Sequence, residues 1–223
     1  MAWTYDWVAG VVSLGMWNEW VRSVSPYLEA GRILELGHGP GHLQAELLKR
    51  NLHATGLDAS SQMSRQAASR LRKCVYQPAL VRGFAQSLPF AKESFQRVVA
   101  TFPSEYIVDP QTLSEIYRVL SLDGQAIILA LAWITGKKWL EKAARSLFRI
   151  TGQAPEWEDH FLEPVRKAGF QAHVDWIELK SSRLVIIVAQ KMPEADQIIL
   201  DPPAIDYPIK ILIFPHKKGK RTS

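Results

Sequence analysis

The sequence predicts an α/β fold in which helices cover both faces of a doubly wound, mostly parallel sheet. A short apolar run, Ile33–Leu36, is followed by three glycines in five residues and then by a helical pattern from His42. Further strand-like runs alternate with helical stretches toward the C-terminus, which is typical of βαβ units. The second run ends at Asp58, 19 residues after Gly39, close to the spacing expected between a glycine loop and a ribose-binding acid.

Composition indicates a globular protein with a sizeable core. The chain has 223 residues, of which 47% are hydrophobic and 22% charged, values that suit one domain. Its single cysteine, Cys74, excludes an internal disulfide framework and any all-cysteine metal site. We expect this thiol to be structural. We identify no targeting segment and no apolar run long enough to span a bilayer, so we predict a soluble, cytoplasmic protein.

The charge pattern bears on possible partners. The net charge is +5, and residues 216–223 carry part of the excess. A solvated tail explains this, and a weak contact with an anionic surface is the alternative. Because no basic stripe interleaved with aromatic residues is present elsewhere, we do not expect nucleic acid as a partner.

The glycine loop comes directly after the first predicted strand. Gly37, Gly39 and Gly41 let the backbone turn sharply and approach a ligand closely. The free N–H groups of the helix that follows point at whatever lies over the turn. A glycine turn that only packs a helix on a sheet is the alternative. The G-x-G-x-G spacing differs from the G-x-G-x-x-G of dinucleotide-binding loops.

With Glu35 two places before the first glycine, E-L-G-x-G-x-G resembles motif I of the class I S-adenosylmethionine methyltransferases. The resemblance implies a Rossmann-like, seven-stranded sheet with an antiparallel hairpin at one edge. It implies that the loop wraps the methionine end of S-adenosylmethionine. In that interpretation Glu35 faces the ligand's ammonium group, usually through water, and His38 lines the cofactor.

Asp58 ends the second predicted strand, residues 52–57. A carboxylate there accepts both hydroxyls of a ribose diol, which suits either NAD or S-adenosylmethionine. The alternative is that Asp58 only caps the helix predicted over residues 59–71. The segment that begins with Asp58 and Ala59, D-A-S-S-Q-M, also resembles the family pattern D-x-S-x-x-M.

Residues 83–90, G-F-A-Q-S-L-P-F, follow the third predicted strand, residues 79–81. They resemble the family's adenine-holding G-D-A-E-x-L-P-F, with Phe84 in place of the aspartate and glutamine in place of the glutamate. The resemblance implies that the Ala85 N–H reaches a ring nitrogen of adenine. Phe84 could contact the ring instead, and this departure bears on adenine affinity more than on the fold.

The fourth predicted strand, residues 95–101, ends at Thr101. Ligands in open α/β sheets bind outside the carboxyl ends of the strands, so Thr101 should flank the transferred methyl group. The following Phe-Pro differs from the Pro-Pro typical of many amino-group methyltransferases. A methyltransferase acting on nucleic-acid amino groups is therefore disfavoured.

The C-terminal half completes the predicted sheet. We predict a helix over 111–120, a turn at 122–124 and a buried strand over 125–134. Two more predicted helices, 137–150 and 158–168, precede an antiparallel pair of predicted strands, 172–179 and 183–190. Residues 1–31 should form a helical cap over the cofactor site, 32–191 the core and 192–223 a Pro-rich, basic extension that could add an edge strand over 209–214.

Aromatic residues are concentrated in the N-terminal cap. We expect Trp17 and Trp20 to serve packing. In enzymes similar to the quinone-biosynthesis methyltransferases, a tyrosine at the position of Tyr5 caps the methionine end of the cofactor, so Tyr5 is a candidate cofactor contact.

No catalytic base can be identified from the sequence. A sulfonium ligand carries its own leaving group, so the protein mainly has to align the acceptor with the methyl group. The candidates are His160 and Tyr106, and either would matter only if the acceptor must lose a proton. We expect no metal, because His38 and His42 have no acidic or cysteine partner at ligand spacing.

The resemblance to class I methyltransferases implies methyl transfer from S-adenosylmethionine to a small or lipid-like acceptor, such as one of quinone or phospholipid type. One alternative is an NAD- or flavin-dependent oxidoreductase on a similar sheet, which the loop spacing and residues 83–90 disfavour. A non-catalytic S-adenosylmethionine-binding protein is the second alternative. The acceptor and the atom that receives the methyl group stay open.

Overall fold

The computed structural model describes residues 16–29, 31–52, 54–73, 79–135 and 156–193. Its centre is a seven-stranded sheet in the order β3-β2-β1-β4-β5-β7-β6. The strands are β1 Ile33–Leu36, β2 Ala54–Asp58, β3 Leu80–Arg82, β4 Phe95–Thr101, β5 Leu120–Ile134, β6 Phe170–Glu178 and β7 Ser182–Lys191. The helices are α1 Trp17–Arg22, α2 His42–Lys49, α3 Ser61–Lys73, α4 Pro110–Val119 and α5 Glu156–Lys167. Two short 3₁₀ helices, Ser25–Leu28 and Glu105–Val108, complete the described elements.

The sheet confirms the predicted architecture. Strands β1 to β5 are parallel, whereas β7 pairs antiparallel with both β5 and β6. The strand order reverses direction between β1 and β4, which makes the cleft outside their carboxyl ends the expected ligand site. The β6–β7 hairpin forms the predicted antiparallel edge.

The core lies on both faces of the sheet. All four residues of β1 are buried, as expected for a central parallel strand covered on two sides. One apolar cluster packs α4 and α5 against the sheet and contains Ile116, Leu162 and Phe170. The cluster on the other face joins α1 and α2 to the sheet and includes Leu47 and Val99.

The start of β5 differs from the prediction. The expected turn at 122–124 lies inside the bounds of β5, and the pairing register with β4 shifts between Phe95 and Arg97. Asp123 has a φ of 60°, so the local turn preference produces an irregularity within the strand. The hydrogen-bonded pairing on both sides of the irregularity explains why the strand is not interrupted.

Trp17 and Trp20 pack as predicted. Trp20 is 6% exposed and its Nε1 donates a 2.7 Å hydrogen bond to the Ser182 hydroxyl on β7. The Trp17 ring lies 4.8 Å, centroid to centroid, from the ring of Phe102. Helix α1 is therefore attached to the sheet by burial and by a long-range hydrogen bond.

Several predicted features lie outside the described residues. These are Tyr5, Cys74, the helix 137–150 and the tail from 194 onward with its expected edge strand. Within the described part of the chain, every helix is too short or too polar to span a bilayer.

Candidate functional site at the carboxyl edge of the sheet

The parallel strands bring most of the predicted site residues to one edge. The loop 37–41 follows β1, Asp58 ends β2, residues 83–85 follow β3 and Thr101 ends β4. Because neighbouring strands run in the same direction, these segments converge although they are far apart in sequence.

The glycine loop is shaped by contacts that leave no room for side chains. Gly37 has a φ of 69° and donates to Leu57 O at 2.8 Å. A Cβ added there would lie 2.7 Å from the Tyr106 hydroxyl, and one added at Gly41 (φ 81°) would lie 2.9 Å from Ala67 Cβ. Glycine is thus required at both positions for conformation and for space.

Asp58 joins the loop to β2. Its Oδ2 accepts a hydrogen bond from the Gly39 N–H at 2.9 Å, and its Oδ1 accepts from the Ser60 N–H at 2.8 Å. Helix α3 begins at Ser61, and the Ser60 hydroxyl accepts from the Met63 N–H at 3.3 Å, so Ser60 is its N-cap. Capping therefore does not account for Asp58, and each of its oxygens keeps a second lone pair for a ligand hydroxyl.

Glu35 lies beneath the loop with a partner that sequence reasoning missed. The Gln44 side chain on α2 donates from Nε2 to Glu35 Oε2 at 2.8 Å. Both residues are 1% exposed. Burial raises the pKa of the Glu35 carboxyl to about 8, Asp58 raises it further, and the Gln44 hydrogen bond opposes the shift.

His38 is turned into the protein rather than onto the outer surface of the loop. It is 3% exposed, and its Nδ1 lies 2.7 Å from Gly39 O. Burial lowers the pKa of the imidazole, so the neutral ring donates from Nδ1 to that carbonyl. His38 therefore supports the loop from below, and a direct side-chain contact with a cofactor stays a prediction.

Phe84 stands out at the end of β3. Its side chain is 68% exposed, whereas Ala85 is buried. The turn that carries them is tied to β2 by the Gly83 N–H, which donates to Asp58 O at 3.2 Å. An exposed aromatic ring beside Asp58 offers a face on which a planar base could stack.

At the end of β4, the ring of Phe102 makes two aromatic contacts that the sequence did not predict. Phe102, directly after Thr101, has a φ of 49°, which is strained for a bulky residue. Its N–H donates to Leu129 O at 2.8 Å. Its ring contacts Trp17 and also Trp20, at 5.9 Å between centroids.

The two candidate catalytic residues have different positions. The Tyr106 hydroxyl donates to Leu36 O at 3.3 Å and lies against Gly37, so it is at the edge where the segments converge. The backbone of His160 belongs to α5, and its side chain is outside what the structure describes. Among the described residues no group of three or more His, Cys, Asp or Glu could hold a metal ion.

Comparison with known proteins identifies the fold and its family. Residues 33–124 match a family model described as a methyltransferase domain. These residues form a class I methyltransferase domain. The domain is similar to the ubiquinone/menaquinone biosynthesis C-methyltransferase UbiE of Geotalea daltonii, at 31% identity over 56% of this chain and 57% of the relative. It is 36% identical to the demethylmenaquinone methyltransferase of Thermotoga maritima, over 57% of this chain and 56% of the relative.

The methyltransferase domain also has the fold of solved relatives. A SAM-dependent methyltransferase of Methanosarcina mazei superposes with a TM-score of 0.57 at 23% identity, covering 77% of this chain and 98% of that one. The matched part of the chain spans little more than half the length of the two bacterial relatives. The glycine loop, Asp58 and residues 83–85 all lie within the methyltransferase domain.

Proposed function

We propose that this chain transfers the methyl group of S-adenosylmethionine to a small, apolar acceptor. The observation that carries the proposal is the 2.9 Å hydrogen bond from the Gly39 N–H to Asp58 Oδ2. This bond connects the glycine loop, which would hold the methionine end of the ligand, to Asp58, which would hold its ribose, at one edge of the sheet.

The residues of the edge fit the parts of the ligand. Backbone amides of the loop and the Glu35 carboxyl would hold the methionine end, and Asp58 the ribose hydroxyls. The exposed Phe84 ring and the Ala85 N–H would hold the adenine. When bound, S-adenosylmethionine supplies an activated methyl group and its own leaving group.

The chain's own residues would then align the acceptor with the methyl group and exclude water. In well-oriented reactions such alignment lowers the activation barrier by about 7 to 11 kcal/mol. Thr101 and Tyr106 lie at the edge between β1 and β4 and would flank the reacting methyl group. Tyr106 would act as a base only for an acceptor that must lose a proton.

The aromatic wall supports an apolar acceptor. The Phe102 ring at the end of β4 contacts both Trp17 and Trp20, next to where the methyl group would lie. The names of both bacterial relatives refer to quinone biosynthesis. We therefore propose a reduced quinone-type ring as the acceptor class.

Two measurements test the proposal. Isothermal titration of the full chain should show binding of S-adenosylmethionine and S-adenosylhomocysteine but not of NAD⁺. Incubation with methyl-tritiated S-adenosylmethionine should label a reduced, unmethylated naphthoquinone and leave phosphoethanolamine unlabelled. Binding of NAD⁺ in place of S-adenosylmethionine would favour an oxidoreductase, and binding without labelling of any acceptor would favour a non-catalytic binding protein.

A further inference from the structure

A group of buried polar side chains lies under the glycine loop, where β1, α2 and β2 meet. It consists of Glu35, Gln44 and His38, each no more than 3% exposed. One hydrogen bond links two of them, from Gln44 Nε2 to Glu35 Oε2. Buried polar groups without full pairing are costly, so such a group needs an explanation.

The space for this group is provided by Gly56 on β2. A Cβ added to Gly56 would lie 3.0 Å from His38 Cδ2 and 3.2 Å from Gln44 Nε2. The imidazole and the amide therefore pack over the same glycine. Each also has a buried acceptor atom without a hydrogen bond, His38 Nε2 and Gln44 Oε1.

The group contains more acceptors than donors. An ionised Glu35 adds only acceptor oxygens, and the one remaining His38 proton is used by Gly39 O. A proton on Glu35 supplies a donor that the group lacks. It also removes the negative charge of the Glu35 carboxylate. Among the described residues, no lysine, arginine or histidine forms an ion pair with Glu35.

Asp58 and His38 favour the same protonation state. Asp58 at the end of β2 disfavours a second negative charge, and burial raises the pKa of Glu35 to about 8. Burial lowers the pKa of His38, so the imidazole brings no positive charge. The other groups that face the loop are the Tyr106 hydroxyl and Arg70 of α3, whose Nε donates to Pro40 O at 2.8 Å beside His42.

We infer that Gln44 is a positioning residue for S-adenosylmethionine. It holds Glu35 under the loop, where Glu35 is protonated in the free protein. When the cationic ligand binds, Glu35 loses this proton to the solvent. This inference rests on the proposed function. The positive charge of the ligand replaces the proton, while the Gln44 amide remains as donor to the carboxylate. The proton is released to the buffer, and no covalent bond other than the O–H bond of Glu35 is broken.

Proton release can be counted by titration calorimetry. S-adenosylmethionine is titrated into the full chain at pH 7 in phosphate and in Tris, whose ionisation enthalpies differ. The wild type should release nearly one proton more per ligand than Glu35→Gln. The ligand's amino group is protonated to the same extent before binding in both experiments, so the difference between the two proteins reports the proton balance of Glu35 and of the ammonium group that faces it.

A second variant tests Gln44 itself. Gln44→Met keeps the length of the side chain but removes the donor, so the Kd for S-adenosylmethionine should rise about ten- to a hundredfold at pH 7. The pH above which the affinity for S-adenosylmethionine no longer increases should also be higher for Gln44→Met than for the wild type. A purely structural role of Gln44 would not cause this shift. Gln111→Met, at an exposed position on α4, is the matched control and should behave as the wild type.

The outcomes separate the two proposals. Equal proton release by the wild type and Glu35→Gln would overturn the inference while leaving S-adenosylmethionine binding intact. An unchanged pH profile for a folded Gln44→Met would do the same. If the wild type binds no S-adenosylmethionine at any pH, the proposed function fails first.

Discussion

The two halves of the carboxyl edge are held in different ways. In the β1–β3 half, the loop 37–41, Asp58 and residues 83–85 are connected by hydrogen bonds from backbone N–H groups, such as Gly39 N–H to Asp58 Oδ2 and Gly83 N–H to Asp58 O. In the β4 half, Phe102 keeps a backbone hydrogen bond to Leu129 O, but its ring is held by contacts with Trp17 and Trp20 on α1, more than 80 residues away in sequence. One part of the site thus depends on backbone conformation and can be recognised as a sequence motif. The other part depends on packing between side chains that are remote in sequence.

Gly37→Ala should cause the largest effect in the β1–β3 half. The added Cβ meets the Tyr106 hydroxyl and the φ of 69° is unfavourable for alanine, so we expect a loss of about 2 to 4 kcal/mol in unfolding free energy. Binding of S-adenosylmethionine should fall below detection. Urea unfolding measures the first effect. Gly37→Ala with Tyr106→Phe should recover only part of the stability, because the backbone strain remains.

Asp58→Ala should weaken S-adenosylmethionine binding by about 1 to 3 kcal/mol, since it removes the hydrogen bonds to ribose and to the Gly39 N–H. Calorimetry measures the change. The control is Ser60→Ala, which should lower stability through loss of the α3 cap while sparing the affinity. An unchanged affinity for Asp58→Ala would mean that the carboxylate only holds the turn.

Phe102→Gly should separate the two halves. It relieves the backbone strain, worth about 1 to 3 kcal/mol, but removes the ring that contacts Trp17 and Trp20. We expect the Kd for S-adenosylmethionine to change little, because Phe102 belongs neither to the glycine loop nor to Asp58 or residues 83–85, which would hold the cofactor. The KM for the naphthoquinol acceptor should rise. A change confined to the cofactor affinity would contradict this division.

The contribution of Glu35 to the stability of the wild type should fall as pH rises from 4.5 toward 8. Between these values the folded state keeps a proton on Glu35, whose pKa is raised to about 8 from an ordinary 4.5, while the unfolded state loses it. Glu35→Gln cannot ionise, so its Tm relative to that of the wild type should rise across this pH interval and level off above about pH 8. His38 acts in the opposite sense, because its lowered pKa costs stability as pH falls below 6.5. Thermal scans at a series of pH values test both.

Phe84→Ala should have the smallest effect. Its ring is 68% exposed, so stability should change by less than about 0.5 kcal/mol. Loss of stacking should weaken S-adenosylmethionine binding by about 0.5 to 1.5 kcal/mol. Phe84→Asp restores the residue typical of the family pattern and should keep or improve the affinity. If both variants bind as the wild type does, Phe84 does not contact the adenine.

Much of the fold follows from local pattern. The bounds of β1 and β4 agree with the predicted strands Ile33–Leu36 and Phe95–Thr101, because central parallel strands are covered on both faces and carry apolar residues at most of their buried positions. Boundaries that depend on a cap or on pairing differ more. Helix α3 begins after Ser60, and β5 begins at Leu120, before the expected turn.

The sequence alone determined that a glycine loop, an acid 19 residues later and a doubly wound sheet occur together. Glycine spacing and strand periodicity are local properties, so they are visible without coordinates. Only the tertiary structure decided that Gln44 reaches Glu35, that His38 turns under the loop and that Phe102 meets α1. Those contacts depend on which face of a helix is buried and on distances between remote segments, and a linear pattern specifies neither.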